Sequence, residues 1–312
     1  MSLSGPPSSS SSQESPPGLR YAYNTNGAQN HRLEDALDLI SGSGYDGVAL
    51  TLDHHHLDPF APGLVRRADR LSSRLSRLGL GVVVETGARF LLDPRRKHEP
   101  TLVTPDPDAR GLRLDFLYRA LEVGAATGAE AVSFWSGVPW PGDDPGEAWR
   151  RLAEGVGLVL ERASELGVTA AFEPEPGMLV ETPDGYARLA GEIEKLSGGV
   201  SESLSLALDT GHCLVTGERE PEEAVREFAG SLGTVSIEDM PRGVHEHRPF
   251  GEGDMDVPAV LGALRKVGFG RLVCVELSRE SHRAHEEIPG SLAALREAET
   301  RVEYGSGGLE FR

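Results

Sequence analysis

The feature that most limits how this chain can fold is its rhythm. Between Leu19 and about Ala298, short β-prone apolar runs alternate eight times with amphipathic stretches of helical period. The runs predict strands at Leu19–Tyr23, Gly47–Leu52, Gly81–Glu85, Ala131–Trp135, Val168–Phe172, Leu204–Leu208, Gly233–Ile237 and Arg271–Val275. Between them lie helical faces. Leu33, Ala36, Leu37 and Ile40 share one, and Leu64, Ala68, Leu71, Leu75 and Leu78 recur in alternating fours and threes. Further helices are read through Leu114–Leu121, Trp149–Leu166 and Asp184–Leu196. Others start at Pro221, at Asp256 as an N-cap, and around Leu292 and Leu295. Nearly continuous apolar strands belong to a parallel sheet buried on both faces. A doubly wound open sheet needs a Gly-rich phosphate turn after its first strand, and Tyr21–Gly27 has none. The pattern predicts an α/β protein, a (β/α)8 TIM barrel forming a single domain over residues 19–303. The Ser/Pro-rich residues 1–18 are expected to be a disordered tail, and the Gly-rich residues 304–312 a flexible one.

Charge narrows the partners. The 312 residues carry 49 acidic against 31 basic side chains, a net charge of −18, which argues against nucleic acid as the main ligand. No run approaches the roughly 18–20 apolar residues of a membrane span, and the N-terminus lacks a basic start followed by an apolar segment. Cys213 and Cys274 offer no disulfide framework, so a reducing, cytoplasmic setting is expected. A small-molecule substrate is the expected partner, and a homodimer is left open.

In such a barrel the chemistry sits where strands end in loops. Those ends carry Asn24 and Asn26, His54-His55-His56, Glu85, Trp135, Glu173, Asp209 with His212, Glu238 with Asp239, and Glu276. Helix caps account for one or two acids, but not for Glu173, Asp209 and Glu276 together. Carboxylates gathered in one cleft repel unless a cation lies between them, which points to a divalent metal. The Asp209-Thr-Gly211 stretch reads as a strand end followed by a turn at Gly211. The seventh loop adds Arg242 and the pair His245 and His247, two residues apart and so on one side of an extended segment. Arg242 either holds an anionic group of the substrate or pairs with an acidic neighbour. Trp135 either stacks on a sugar face or packs in the core.

Four stretches together resemble the xylose-isomerase-like TIM-barrel superfamily of sugar isomerases and epimerases, inosose dehydratases and endonuclease IV enzymes. They are Phe172-Glu173-Pro174, Leu208-Asp209-Thr-Gly-His212, Phe250-Gly-Glu-Gly-Asp-Met-Asp256 and Val275-Glu276-Leu277. The resemblance implies one Mn²⁺, Mg²⁺ or Co²⁺ held by Glu173, Asp209 and Glu276, with the two glutamates shuttling a proton beside a substrate carbonyl. It also implies that His212 touches the substrate; from the strand ends and the seventh loop, Glu85, Trp135 and Arg242 are further candidate contacts. The chain departs from the pattern in strand seven, where Ser236 stands in place of a ligand His. Either Glu238, His247 or water then completes the shell, or the usual metal is absent. The endonuclease-like pattern instead implies a zinc site of His212, His245 and His247 before Gly251-Glu-Gly253. The expected function is a metal-dependent isomerase or epimerase of a small sugar, sugar phosphate or cyclitol, with His247 as fourth ligand. An inosose-dehydratase-like lyase, a zinc phosphodiesterase and a barrel that binds a metabolite without turnover are the alternatives.

Overall fold

The structure is a computed structural model that describes residues 18–197 and 203–305. The predicted tail of residues 1–18 therefore lies outside the described residues except for Gly18, as does the end of the chain beyond residue 305. Eight parallel strands close into a barrel in sequence order. They are β1 (Arg20–Asn24), β2 (Gly47–Thr51), β3 (Gly81–Glu85), β4 (Val132–Phe134), β5 (Ala170–Phe172), β6 (Leu204–Asp209), β7 (Leu232–Ile237) and β8 (Leu272–Val275). Around them run α1 (Leu33–Gly42), α2 (Leu64–Leu78), α3 (Pro107–Thr127), α4 (Pro145–Leu166), α5 (Pro183–Ser197), α6 (Thr210–Thr216), α7 (Pro221–Glu227), α8 (Val257–Lys266) and α9 (Ala284–Gly305). No helix among the described residues is long and apolar enough to cross a membrane.

Strand periodicity decides what faces the barrel axis. Ala22, Ala49, Val83, Ala131, Ala171, Ala207, Leu272 and Cys274 form an inner apolar cluster. Small side chains suit that position because eight strands leave room for little more than a filled layer. The intervening residues, such as Tyr23, Leu50, Val84, Phe172, Leu208 and Val275, face outward and join the core beneath the helices. Two residues beyond the inner cluster, the same inward phase brings Asn24, Thr51, Glu85, Ser133, Glu173, Asp209 and Glu276 to the C-terminal end. In β7 the register slips opposite Leu206 and Ala207, and Asp209 then pairs with Ser236. Thr234, Ser236 and Glu238 share that phase.

Two sequence readings change. Val168 and Thr169 are not in β5, because the Val168 amide donates to the Ala163 carbonyl and closes the end of α4. Nor does the chain turn at Gly211. Thr210 begins α6, and Asp209 is its N-cap, with Oδ1 accepting from the amides of Gly211 (2.8 Å) and His212 (3.2 Å). One carboxylate oxygen is spent on the helix and the other is left free.

Candidate metal and substrate site

A cavity of about 570 Å³ opens at the C-terminal end of the barrel. It is lined by residues from every quarter of the ring, including Asn26, Asp53, Glu85, Lys97, Trp135, Glu173, His212, His247 and Glu276. That volume lies in the range of small-molecule sites.

Its densest chemistry lies at β5 to β7. His212, on the first turn of α6, is 4% exposed, and its Nδ1 donates to the Pro174 carbonyl at 3.0 Å. A carbonyl can only accept, so Nδ1 carries a proton there and Nε2 faces inward. Nε2 stands 3.5 Å from Asp209 Oδ2 and 3.7 Å from Glu175 Oε2. His245 Nε2 stands 3.8 Å from Glu175 Oε1, and His247 Nδ1 is 3.8 Å from Glu238 Oε1. All four separations are at or beyond the outer limit of a hydrogen bond. Two ligands each about 2.0–2.1 Å from a tetrahedral ion sit roughly 3.3–3.5 Å apart, close to these spacings. Asp209 Oδ2, His212 Nε2, both Glu238 oxygens and His247 Nδ1 are buried with no hydrogen-bond partner. Buried polar atoms are seldom left that way unless something else occupies their lone pairs. Among the described residues, three sets have ligand atoms within 4.8 Å of one another: Asp209, Glu238 and His247; His212, His245 and His247; and Glu173, Glu175 and His212. Carboxylate oxygens and imidazole nitrogens together suit a divalent transition metal, so the residues fit the group.

The local chain explains this convergence. After β7, Asp239 exchanges backbone hydrogen bonds with Arg248, and its carboxylate accepts from the amides of Gly251 (2.8 Å) and Met255 (2.9 Å). The loop carrying His245 and His247 is thereby folded back over the barrel mouth. Two glycines make room. A Cβ on Gly211 would fall 2.4 Å from Glu238 Oε1, and one on Gly253 would fall 2.4 Å from Asp239 Oδ1.

Charge crowding is visible in the proton affinities. Burial, and then the neighbouring Glu175, Glu85, Glu276 and Asp209, push Glu173 well above the carboxylate range. Burial and Glu276 push Glu85 up to about 8, against the hydrogen bond it accepts from Ser133. Burial and Asp209 likewise raise Glu238. For Asp209, burial is outweighed by His212 and His247, which hold it below the usual Asp value. Burial also opposes charge on His247, yet Glu238, Glu276 and Asp209 bring it up to about 10. The field that holds a proton there is one that would hold a cation.

The predicted residues do not all arrive together. Asp209 and His247 share one candidate ligand set, Glu173 belongs to another, and Glu276 to none of the three. Glu276 lines the cavity, where its Oε1 accepts from Asn26 Nδ2 at 2.8 Å. Trp135 lines the cavity edge-on to His98, with the Arg113 guanidinium 4.2 Å behind it. Glu85 lines it too. Arg242 does not: it makes a two-pronged ion pair with Glu220 (3.0 and 2.7 Å), so its alternative as a partner of an acid is the one formed. His54 and His55 reach the rim, whereas His56 contacts the His31 carbonyl. The sequence reading did not single out Glu175. Its signal was the second carboxylate of Glu173-Pro-Glu175-Pro, which a tight loop (Glu175 amide to Val180 carbonyl, 3.0 Å) returns to the site.

Comparison with known proteins follows this geometry. Residues 37–298 match the model of a family described as xylose isomerase-like TIM barrel. The rhizopine catabolism protein MocC of Rhizobium meliloti is 26% identical over 158 residues, 45% of this chain and 46% of that protein. The chain thus matches about half the length of this curated relative. A D-tagatose 3-epimerase-like protein has a TM-score of 0.73 at 18% identity, over 92% of this chain and all of that one. The IolI protein with a bound zinc atom has a TM-score of 0.71 at 18% identity, over 91% of this chain and 99% of that one.

Proposed function

Because the chain belongs to the xylose isomerase-like TIM barrel family, we propose that it is a metal-dependent isomerase or epimerase of a small sugar or cyclitol. The reaction is proton abstraction beside a carbonyl. The observation that carries this reading is the group of unpartnered buried atoms on Asp209, His212, Glu238 and His247. These residues would hold the ion, with Glu173, Glu175 and His245 at the edge of the same basin. Ser236 offers no imidazole there, and Glu238, two residues further along the same inward phase, brings a carboxylate in its place. A bound divalent ion supplies a Lewis acid that polarises the carbonyl and lowers the barrier to removing the adjacent proton.

The chain's own groups do the rest. Glu173 and Glu276 end strands three places apart around the ring and act as the acid and base pair. Asn26 fixes the Glu276 carboxylate, which takes the proton. Glu173, protonated by its surroundings, returns one. Glu85, also protonated near neutral pH, donates a hydrogen bond to a substrate oxygen. Trp135 offers an apolar face to the ring.

The test is exchange of solvent deuterium into a panel of ketoses and inososes with Mn²⁺, Mg²⁺, Co²⁺ or Zn²⁺ added. Label at the carbon beside the carbonyl, dependent on the metal, supports the proposal. Loss of water after exchange would make the enzyme a lyase starting from the same step. Metal-bound protein that exchanges no proton across the panel would sink it. The three-imidazole set of His212, His245 and His247 favours a second reading, a zinc phosphodiesterase. Cleavage of abasic-site DNA that depends on His212 and His247 would replace the first reading with that one.

A further inference from the structure

The other side of the cavity has a different character. The loop between β3 and α3 contributes Gly87, Arg89, Phe90, Lys97 and His98 to the lining. Ala88 (φ 56°), Arg89 (φ 36°) and His98 (φ 69°) are the left-handed non-glycine residues among those described, and all three lie in this loop. Side chains rarely adopt that conformation unless their surroundings impose it, and such residues gather at binding sites. Here the constraints are visible. The His98 amide donates to the Arg89 carbonyl, His98 Nδ1 donates to the Gly87 carbonyl, and Arg89 Nη1 donates to Gln29.

Positive charge converges on this pinned loop. Lys97 lines the cavity with no hydrogen-bond or ion-pair partner among the described residues. Arg113 is wholly buried behind the cavity-lining Trp135. Its Nη2 reaches the Thr86 carbonyl at 3.2 Å, while Nε and Nη1 have no partner. The nearby Glu99 carboxylate accepts from the Thr104 hydroxyl and offsets part of the Arg113 charge. His98 reports the resulting field: burial first, and then Lys97, Arg113 and Arg89, hold its imidazole down at about 4. In a chain of net charge −18, the cavity lining nonetheless brings two cations together on this side, Arg89 and the exposed Lys97, with Arg113 buried behind Trp135.

We propose that the β3–α3 loop binds an oxyanion carried by the substrate through Arg89 and Lys97. The carbohydrate taken by this cavity is then an acidic one, bearing a phosphate or a carboxylate on the β3 side and its reacting carbonyl toward β6 and β7. This deepens, and rests on, the reading of the cavity as a carbohydrate site.

The test measures binding without turnover. Metal-loaded protein is titrated calorimetrically with glycerol 3-phosphate, D-glycerate and glycerol, three probes with the same carbon skeleton. At least one acid is expected to bind ten times or more tighter than glycerol, with an affinity that falls as salt rises. In Lys97→Ala/Arg89→Gln that acid should bind about tenfold more weakly, while the affinity of the variant for glycerol stays unchanged. The single Lys97→Ala variant, altered at an exposed side chain, carries the test if the double variant folds poorly. The phosphate and carboxylate arms separate the two sources of the oxyanion. Glycerol binding as tightly as the acids, or acid binding that survives both variants, would overturn the proposal. The latter result would place the acids on the metal instead. Because no chemistry is read, a failure here is distinct from a failure of the deuterium exchange.

Discussion

Two layers of the barrel interior, separated by a single pleat, obey opposite rules. The lower layer, with Ala22, Ala49, Ala131, Ala171 and Ala207, is small, apolar and buried. The upper layer, reached two residues further along the same strands, carries Glu85, Glu173, Asp209 and Glu276, with Glu238 beside them. It buries charge and leaves Asp209 Oδ2, both Glu238 oxygens and His247 Nδ1 without hydrogen-bond partners. Moving one ion out of water costs several kcal/mol even after relaxation, so the upper layer opposes stability where the lower one supplies it. The strands are continuous through both. What changes is only which side chains the inward phase delivers, so scaffold and site can be perturbed separately.

The largest expected effect separates the layers by activity. Glu276→Gln keeps the shape and the hydrogen bond with Asn26 but removes the proposed base. Deuterium exchange into the substrate should fall by about 10²–10⁴-fold, with no loss of melting temperature. Ala171→Leu should do the reverse. Forcing extra methylenes into the filled layer costs about 1–3 kcal/mol and lowers the melting temperature, while each folded molecule still exchanges. If Glu276→Gln exchanged normally, or destabilised the protein as Ala171→Leu does, the division of labour between the layers would be wrong.

The second effect tests the upper layer as a metal site. A metal present at a hundred times its Kd stabilises by about 2.7 kcal/mol, so adding Mn²⁺ or Zn²⁺ to chelator-treated protein should raise its melting temperature by several degrees. Asp209→Asn should lose most of that increment. Glu238→Gln should lose it too, and its metal-free form should melt above metal-free wild type, because one buried, repelling carboxylate is gone. Equal metal stabilisation in wild type and both variants would move the ion away from β6 and β7.

How much of this was legible follows from the range of the interactions. The barrel and its strand-end carboxylates depend on period-two phase, which adjacent residues define, and Glu85, Glu173, Asp209 and Glu276 were readable for that reason. Residues brought in by long-range pinning were harder. His245 and His247 reach His212 only because Asp239 ties down a loop running to Met255, so their spacing suggested a shared face but not its target. Arg113 left a signal that was passed over. It occupies the same helical stripe as Phe116, Leu117, Ala120 and Leu121, all buried, so an arginine in that phase had to be a buried cation. Arg242 shows the opposite limit: the identity of its partner, Glu220, depends on a fold that brings α7 beside the loop.

The smallest effect concerns strand seven, where the chain departs from the pattern it resembles. Ser236 pairs in register with Asp209, faces inward and is 9% exposed, so an imidazole placed there would point at the same basin. Ser236→His should therefore tighten Mn²⁺ or Zn²⁺ binding, but by less than about tenfold. The added ligand would have to share an ion that Glu238 and His247 are proposed to hold, and the larger side chain strains a packed position. Calorimetric titration of the metal into chelator-treated protein measures it. Weaker binding in the variant would mean that the small serine is itself the adaptation, leaving Glu238 room to reach the ion. Strand seven would then have moved its ligand two residues along the same inward phase rather than lost it.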